Sequence, residues 1–340
     1  MGADKIAVYT GGLLDSLEAK MAHGILRYRA DVVVVIDERF AGRELREVLP
    51  YAGKSLPIVA DLEAATRLGI REVVLGLSPP GGVLPRPMIA LVLSAAQRGL
   101  RVTSGLHTRL RSLPEVRAQR LEELVVDLRD IQPTPRVAEG ACGALKSNVI
   151  LTVGTDCASG KMTTSLELWK GMVARRKRAG FVATGQTGIC IAGKGLALDA
   201  IVADFLAGAV ETAVLECARD HDYVFVEGQG ALLHPAYSGV TLGLMHGASP
   251  NLMVLCHEVQ REGLMYFDRK IASLSEQIRL LEELASYQRA SRVIAIALSG
   301  RGSDPSTMAR TKQELERALR LPVFDPMAGV DDVCDLLSEF

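Results

Sequence analysis

The 340-residue chain has a balanced composition: 48% of its residues are hydrophobic, 23% are charged, and Lys plus Arg (39) nearly equal Asp plus Glu (40). This composition excludes a disordered or collagen-like chain. The net charge of −1 provides no overall positive field for nucleic acid or an anionic membrane surface. The length favours a globular protein of two domains. Because the charges balance, any anionic ligand is expected to bind at a local site.

The cysteine pattern indicates a reducing compartment. The six cysteines are spread along the chain without a C-x-x-C pair, which argues against a zinc ribbon and a disulfide framework. The first residues lead directly into a strand pattern without a signal-peptide core, and the sequence contains no run of about 18 apolar residues that would span a bilayer. We expect a cytoplasmic homo-oligomer with no metal site and no membrane or nucleic-acid partner.

In the first 135 residues, short apolar runs alternate with amphipathic stretches. The runs that predict strands are Ile6–Tyr9, Val32–Ile36, Ile58–Val59, Val73–Leu75, Val102–Thr103 and Leu124–Leu128. The stretches that predict helices are 17–28, 41–49, 61–68 and 86–98. Continuous hydrophobicity in Val32–Ile36 is typical of a parallel strand that is buried on both faces. We expect a doubly wound, Rossmann-like domain over residues 1–135, ending where Pro133 and Pro135 prevent a helix or central strand from continuing.

The same alternation continues from residue 136 to residue 340. The predicted strands are Asn148–Val153, 181–184, Tyr223–Val226, Leu252–Cys256, Val293–Leu298 and Val323–Phe324. The predicted helices are 161–178, 199–218, 273–289, 305–320 and 331–338. The chain is therefore predicted to be an α/β protein with two doubly wound domains, of which the second has a P-loop NTPase-like parallel sheet.

A glycine-rich segment lies directly between the first strand and the first helix of this second domain, which is the context that a P-loop requires. Its residues are Gly154, Thr155, Asp156, Cys157, Ala158, Ser159, Gly160, Lys161, Met162, Thr163 and Thr164. Successive backbone N–H groups, the start of the helix and the Lys161 ammonium together form a site for di- or triphosphate oxygens. We reject the alternative of a tight turn with an incidental lysine, because sequence and context agree.

This segment differs from G-x-x-x-x-G-K-[ST] in two ways. Five residues separate Gly154 from Gly160, and Met162 stands where a magnesium-binding hydroxyl should follow the lysine. The extra residue and the Gly-Thr-Asp start resemble the loop of dethiobiotin synthetase, a ligase that uses ATP. A helical step of about 100° per residue turns Thr163 and Thr164 away from the usual metal direction, so the loop suits phosphate binding better than ATP hydrolysis.

A second motif, Tyr223–Gly230, is an apolar strand that ends in Glu227 and a glycine-rich turn. Since doubly wound sheets bind ligands at the carboxyl ends of their strands, Glu227 should face the same crevice as the P-loop. The loop that follows adds three groups that can move or bind protons, and they are His234, Tyr237 and Ser238. The alternatives are a capping carboxylate for Glu227 and a solvent-facing side chain for His234.

Two further clusters also follow predicted strands. Ala183–Gly188 places Gln186 and Thr187 where they can contact a substrate, or it is a glycine-rich turn without a ligand. Arg261, shortly after the strand that ends at Cys256, is a candidate carboxylate clamp, or it lies on a solvated face. In the first domain, the glycines after Tyr9 form only part of a dinucleotide fingerprint, so NAD binding is a weak hypothesis.

Several of these segments together resemble one family. They are Gly105-Leu106-His107, the loop GTDCASGKMTT, ATGQTG, VEGQGALLHPAYS and the final LPVFDP. The chain resembles, over nearly its full length, a P-loop family formerly of unknown function whose type member is the bacterial D-glutamate N-acetyltransferase. The resemblance implies transfer of the acetyl group of acetyl-CoA to the amino group of D-glutamate. A P-loop can hold the ADP pyrophosphate of coenzyme A without any phosphoryl transfer. The coenzyme is therefore expected at Gly154–Thr164.

The chemistry of acetyl transfer to an amine suggests roles for the other candidates. Glu227 or His234 is the base, Tyr237 donates a hydrogen bond to the carbonyl oxygen or the departing thiolate, and His107 is a fallback catalyst. The substrate contacts are Gln186, Thr187, Gln229, Ser238 and Arg261. The runner-up is an ATP- and magnesium-dependent ligase or kinase that resembles dethiobiotin synthetase, and a third interpretation is a nucleotide-binding regulator without chemistry. Both the acceptor amino acid and its chirality remain open at this point.

Overall fold

The computed structural model describes residues 4–130, 133–300 and 302–340. It has two compact units: one contains the described residues of 1–132 together with Gln186–Ala197, and the other contains Pro133–Gly185 and the described residues of 198–340. Residues 186–197 thus lie in the sequence range predicted for the second domain but pack within the first unit. None of the helices in the described ranges combines the length and the apolar character needed to cross a membrane.

Strands and helices alternate along the chain. The strands are β1 Ile6–Tyr9, β2 Val32–Ile36, β3 Ile58–Val59, β4 Glu72–Leu75, β5 Arg101–Ser104, β6 Val125–Asp127, β7 Asn148–Gly154, β8 Ala179–Val182, β9 Tyr223–Val226, β10 Leu252–Glu258, β11 Arg292–Ser299 and β12 Val323–Phe324. The α-helices are α1 Lys20–Tyr28, α2 Leu45–Val48, α3 Leu62–Thr66, α4 Arg86–Gln97, α5 Pro114–Ala118, α6 Lys161–Ala174, α7 Gln186–Ala192, α8 Ala203–Ala218, α9 Ser238–Ala248, α10 Leu274–Ser286, α11 Pro305–Leu319 and α12 Asp331–Leu337.

The first unit contains a six-stranded sheet in the order β3-β2-β1-β4-β5-β6. All of its strand pairs are parallel, and β1 pairs with β2 through Val8 and Val35 and with β4 through Val8 and Val74. This is the strand order of a Rossmann fold. Four of the five β2 residues are buried, as the unbroken apolar run predicts for a strand covered by helices on both faces.

The second unit contains a six-stranded sheet in the order β12-β11-β10-β7-β9-β8, again with parallel pairs. The chain leaves central β7 for the edge strand β8, returns to β9, and then crosses to β10 on the other side of β7. The order therefore reverses at β7, which is where open α/β sheets form their ligand crevice at the carboxyl ends of the strands. The predicted fold class of two doubly wound α/β domains is confirmed.

Several elements differ from the prediction, and three of these differences bear on the site. Strand β8 ends at Val182 instead of 184, because the backbone N–H of Thr184 donates to the Glu227 carboxylate rather than to a neighbouring strand. Gln186–Ala192, predicted as part of a glycine-rich turn, is the helix α7. Ser238–Ala248 forms α9, which was not predicted because glycine and β-branched residues lower its helix propensity and packing against α8 stabilises it instead.

Candidate functional site

The P-loop connects the carboxyl end of β7 to the start of α6, as predicted. The chain turns through positive φ values at Ala158 (52°) and Gly160 (95°), and the helix begins at Lys161. Left-handed residues in such a turn direct successive N–H groups inward, and the dipole of the 14-residue helix adds partial positive charge at the same place. The loop backbone therefore has the form of an anion site.

The Lys161 side chain folds back into this loop. Its Nζ donates to the carbonyl oxygen of Asp156 at 2.8 Å and lies 3.3 Å from Ser159 Oγ. Lys161 is 7% exposed, and burial lowers the pKa of its ammonium. An ammonium has three N–H donors, so one remains for a ligand oxygen.

The start of α6 offers little to a magnesium ion. Met162 occupies the position after the lysine, and Thr164 is 1% exposed, with its Oγ1 accepting from the Cys256 thiol at 3.5 Å. Thr163 is partly exposed and is the hydroxyl of this turn that remains accessible. The loop thus retains the phosphate-binding parts of a P-loop without a hydroxyl at the usual metal position.

Asp156 is fully buried beneath the loop, and its carboxylate has several donors. Oδ1 accepts the N–H of Cys157 at 2.7 Å, and Oδ2 accepts the N–H of Met265 at 2.8 Å and Nη1 of Arg261 at 3.1 Å. Sequence reasoning placed Asp156 among the coenzyme contacts, and the structure shows in addition that its carboxylate fastens the segment after β10 to the P-loop. Its role depends on contacts more than 100 residues away in sequence, and no local pattern indicated them.

His234 is also fully buried and fully hydrogen-bonded. Its Nε2 donates to the carbonyl oxygen of Met265 at 3.0 Å, and its Nδ1 accepts the N–H of Ala236 at 3.2 Å. This pattern requires the neutral tautomer with the proton on Nε2 and leaves no lone pair for a substrate proton. Both His234 and Asp156 therefore hold the same residue, Met265.

One group of side chains has the composition of a metal site. Ligand atoms of Asp156, Cys157 and His234 lie within 4.8 Å of one another. In this structure, the Asp156 carboxylate and both nitrogens of His234 are engaged in hydrogen bonds within the protein.

Glu227 lies at the carboxyl end of β9 and is 3% exposed. Its Oε2 accepts the N–H groups of Thr184 at 2.9 Å and Gly185 at 3.2 Å, while Oε1 is 3.5 Å from Gln229 Nε2. Burial raises the pKa of Glu227 to about 7, although the two N–H donors and the charge of Lys161 oppose the rise. Oε1 is the weakly bonded oxygen and is the one that can accept a proton.

The turn after Glu227 is pressed against β7. A Cβ atom at Gly228 would lie 1.6 Å from the Thr152 carbonyl oxygen and 3.1 Å from Lys161 Cδ, so only glycine fits. The Gly228 N–H donates to Thr152 Oγ1 at 2.9 Å. Glu227 and the P-loop lysine are therefore brought to the same part of the sheet edge, as the sequence predicts.

Three other predicted site residues lie on this edge. Tyr237 is 41% exposed, and its ring lies against that of His234 at a tilt of 34°, with ring centroids 4.8 Å apart. Ser238 begins α9, and its backbone N–H donates to the His234 carbonyl oxygen. Arg261, predicted as a carboxylate clamp, instead pairs with Asp156 and Glu258.

Gln186 and Thr187 belong to the first unit, at the start of α7. The side-chain oxygen of Gln186 accepts from Arg129 Nη2 at 3.3 Å. His107 is also in the first unit, where a Cβ atom on Gly82 would lie 2.3 Å from its ring. These three candidates are therefore described with the first unit.

Family comparisons agree with this geometry. A P-loop domain described as a domain of unknown function, DUF1611_C, matches residues 136–334, and a Rossmann-like domain described as DUF1611_N matches residues 38–133. The chain belongs to the DUF1611 family. The predicted resemblance is confirmed at the level of both domains.

Relatives of this DUF1611 protein match it along nearly the whole chain. A Pseudoalteromonas sp protein named D-glutamate N-acetyltransferase is 33% identical over 333 residues, covering 96% of each chain. A protein of the same name from Tritonibacter scottomollicae is 34% identical over 341 residues, covering 97% of each chain. The crystal structure of a DUF1611 family protein from Anabaena variabilis is 35% identical with a TM-score of 0.93, and the match covers 99% of this chain and 100% of that chain.

Proposed function

We propose that this protein is an N-acetyltransferase that moves the acetyl group of acetyl-CoA to the amino group of an acidic amino acid, D-glutamate in particular. The observation that carries the proposal is the buried Glu227 carboxylate, with a pKa of about 7, beside a P-loop that lacks the magnesium hydroxyl. The names of the two full-length relatives support the same activity.

The P-loop suits the pyrophosphate of coenzyme A. The remaining N–H of the Lys161 ammonium and the backbone N–H groups before α6 can bind phosphate oxygens that stay intact through the reaction. Because no phosphoryl bond breaks, no magnesium ion has to stabilise a transferring phosphate. Met162 in place of the hydroxyl is then compatible with function.

The acceptor amine needs a base, because an amino-acid ammonium is charged at neutral pH and cannot attack a thioester. Glu227 Oε1 takes a proton from the ammonium, and the neutral nitrogen attacks the thioester carbonyl carbon. A C–N bond forms, the C–S bond breaks, and the nitrogen loses a second proton as the thiolate leaves and becomes a thiol. Glu227 has a pKa near the working pH, which is the optimum for a base.

Other groups support this step. Burial raises the pKa of Tyr237, so its phenol stays protonated and can donate to the carbonyl oxygen or the thiolate. His234 orients the Tyr237 ring and does not serve as the base, since both of its nitrogens are bonded. Gln229, Ser238, Gln186 and Thr187 remain candidate substrate contacts.

Release of free thiol tests the proposal. Incubation with D-glutamate and acetyl-CoA in EDTA should release coenzyme A and form N-acetyl-D-glutamate without any nucleotide. The alternative, an ATP-dependent ligase or kinase resembling dethiobiotin synthetase, predicts no thiol release in EDTA. Product formation coupled to ADP and dependent on magnesium would overturn the acetyltransferase proposal.

A further inference from the structure

The chain after β10 forms a small hairpin, residues 262–271, at the same sheet edge as the P-loop. Gly263 and Lys270 pair in antiparallel fashion, and the N–H groups of Leu264 and Ile271 donate to the carbonyl oxygens of Arg269 and Glu262 at 2.9 and 2.8 Å. Near its tip, Met265 is held by Asp156 and His234. Two fully buried polar side chains thus fix the hairpin relative to the P-loop, and this positioning is what they contribute to the site.

A cavity of about 180 Å³ lies between this hairpin and the P-loop. Its lining residues are Thr155, Leu233, Leu264, Arg269, Lys270, Ala272 and Gln277. The only charged side chains in this lining are the two cations, Arg269 and Lys270. Neither makes an ion pair with any residue in the described ranges, whereas neighbouring Arg261 is fully paired.

The size of the cavity limits what it can hold. Sites for drug-sized molecules and large cofactors measure about 300–1,000 Å³, so 180 Å³ suits a molecule with the dimensions of one amino acid and not a coenzyme. Leu233 and Leu264 provide an apolar wall for a short aliphatic chain. Gln277 is 2% exposed and donates its amide N–H to the Ala272 carbonyl oxygen, so its side-chain oxygen is left as a polar acceptor in the lining.

We propose that this cavity is the acceptor site, in which Arg269 and Lys270 bind the carboxylates of a dicarboxylic amino acid next to Thr155 of the P-loop. The inference rests on the proposed acetyltransferase function and extends it by naming residues that select an acidic acceptor. Two cations match two carboxylates, whereas a neutral amino acid has only one carboxylate and would engage only one of the two exposed cations. The acidic selectivity predicted earlier for Arg261 is thereby assigned to residues that sequence analysis did not identify.

The test compares two double variants with equal loss of charge. Arg269→Gln/Lys270→Gln removes the cavity cations but keeps polar side chains, and Arg310→Gln/Arg317→Gln removes two exposed cations of α11. In the first variant, KM for D-glutamate should rise by about tenfold to a hundredfold for each charge removed, with KM for acetyl-CoA within twofold of the wild-type value. The α11 variant should match the wild type in both constants.

A rise in KM for acetyl-CoA instead of D-glutamate would assign the two cations to a coenzyme phosphate and overturn the inference. An unchanged KM for D-glutamate in the cavity variant would also overturn it, while normal turnover in that variant would leave the proposed function standing. The preference of the wild type for D-glutamate over D-glutamine should shrink in the cavity variant.

A binding measurement separates the cavity from the reaction. Glutarate, a dicarboxylate without an amine, should raise the thermal unfolding temperature of the wild type and of the α11 variant but not that of the cavity variant, and its diamide should have no effect. If the wild type acetylates no amino acid, the proposed function fails, and this measurement still supports the cavity. Absence of stabilisation by glutarate in the wild type would overturn the assignment of the cavity as the acceptor site.

Discussion

The pKa of Glu227 follows from where β9 ends. The strand Tyr223–Val226 is fully buried, so the next side chain enters an apolar environment, and burial outweighs two N–H donors and the Lys161 charge. Because the folded pKa of about 7 exceeds the ordinary 4.5, protonated Glu227 stabilises the fold fully below pH 4.5, and this contribution is lost as pH rises through 7. At a pH where Glu227 is ionised and can act as a base, it no longer contributes this stability.

The first prediction concerns this carboxylate. In wild-type enzyme, kcat should rise with pH through about 7 as Glu227 loses its proton. Glu227→Gln keeps an acceptor for Thr184 and Gly185 but cannot take a proton, so kcat should fall by about 10²–10⁴ and this limb of the profile should vanish, with KM for acetyl-CoA nearly unchanged.

The same variant has a structural control. Since glutamine resembles the protonated carboxyl group, unfolding free energy measured in urea should vary less with pH in Glu227→Gln than in the wild type between pH 4.5 and 7. A kcat profile that keeps its limb near pH 7 in the variant would place the base at another residue.

Asp156 supports a second prediction at the scale of the residue. Asp156→Asn replaces one carboxylate oxygen by an NH₂ group, which cannot accept a hydrogen bond. In one orientation of the amide, this NH₂ group faces the donors Arg261 and Met265, and in the other it faces the N–H of Cys157. The unfolding free energy should fall by about 3–5 kcal/mol, as for other broken buried charge pairs. Denaturant unfolding measures it.

The matched control is Asp335→Asn in α12, which also removes one negative charge next to an arginine. Its side chain is 72% exposed in the pair with Arg175, so its loss should change stability by about 1 kcal/mol or less. Equal effects of the two substitutions would contradict the fastening role of Asp156.

At the scale of the element, α9 forms because it packs closely against α8. A Cβ atom at Gly247 would lie 2.3 Å from the Ala207 carbonyl oxygen, and the other α9 glycine next to α8, Gly243, is similarly confined by Leu206. The two helices therefore approach each other at backbone distance, which isolated helix propensity cannot indicate. This contact positions Ser238 and the preceding Tyr237 at the sheet edge.

The third prediction tests this contact with two glycines of one helix. Gly247→Ala should destabilise the protein by about 1–3 kcal/mol because the methyl group overlaps α8. Gly239→Ala, where no atom lies within 4 Å of the added Cβ, should be neutral or stabilising by up to about 1 kcal/mol through helix propensity. Thermal and urea unfolding measure the stability of both variants. If Gly239→Ala were more destabilising than Gly247→Ala, α9 would not pack against α8 in this way.

At the scale of the whole molecule, the segment 186–197 lies between two parts of the second unit in sequence. It nevertheless packs within the first unit. In α7, Gly188, Ile189 and Cys190 are buried, the helix contacts α1, and the Cys190 carbonyl oxygen accepts from Arg29 Nη1 at 3.1 Å. The chain thus leaves the second unit after Gly185 and returns to it at Leu198.

The fourth prediction follows from this packing. Ile189→Ala should lower the opening free energy of α7 and of β1 and β2 by about 2–5 kcal/mol, the cost of truncating a buried aliphatic side chain. Amide hydrogen exchange, measured segment by segment, should show no change in β7 and β10. Loss of protection in β7 with β1 unaffected would assign α7 to the second unit.

Much of the candidate site could be predicted because its signals are local. A glycine-rich turn between an apolar strand and a helix indicated the P-loop at Gly154–Thr164, and an apolar strand that ends in a carboxylate indicated Glu227. The cavity with Arg269 and Lys270 was missed, since two exposed cations in a loop carry no periodic signal. Its walls come from separate loops and a helix of the second unit.

The sequence by itself determined the two α/β domains, most strand positions and the residues at the strand ends, because apolar periodicity and turn chemistry act over a few neighbouring residues. Only the tertiary structure decided the strand orders, the packing of α7 and the uses of Asp156 and His234. The Asp156 carboxylate meets Met265 across 109 residues of sequence, and the His234 ring reaches the same residue across 31. Such long-range pairing satisfies the hydrogen-bonding groups of a buried side chain, and it gives His234, one of the two candidate bases, contacts that hold a hairpin.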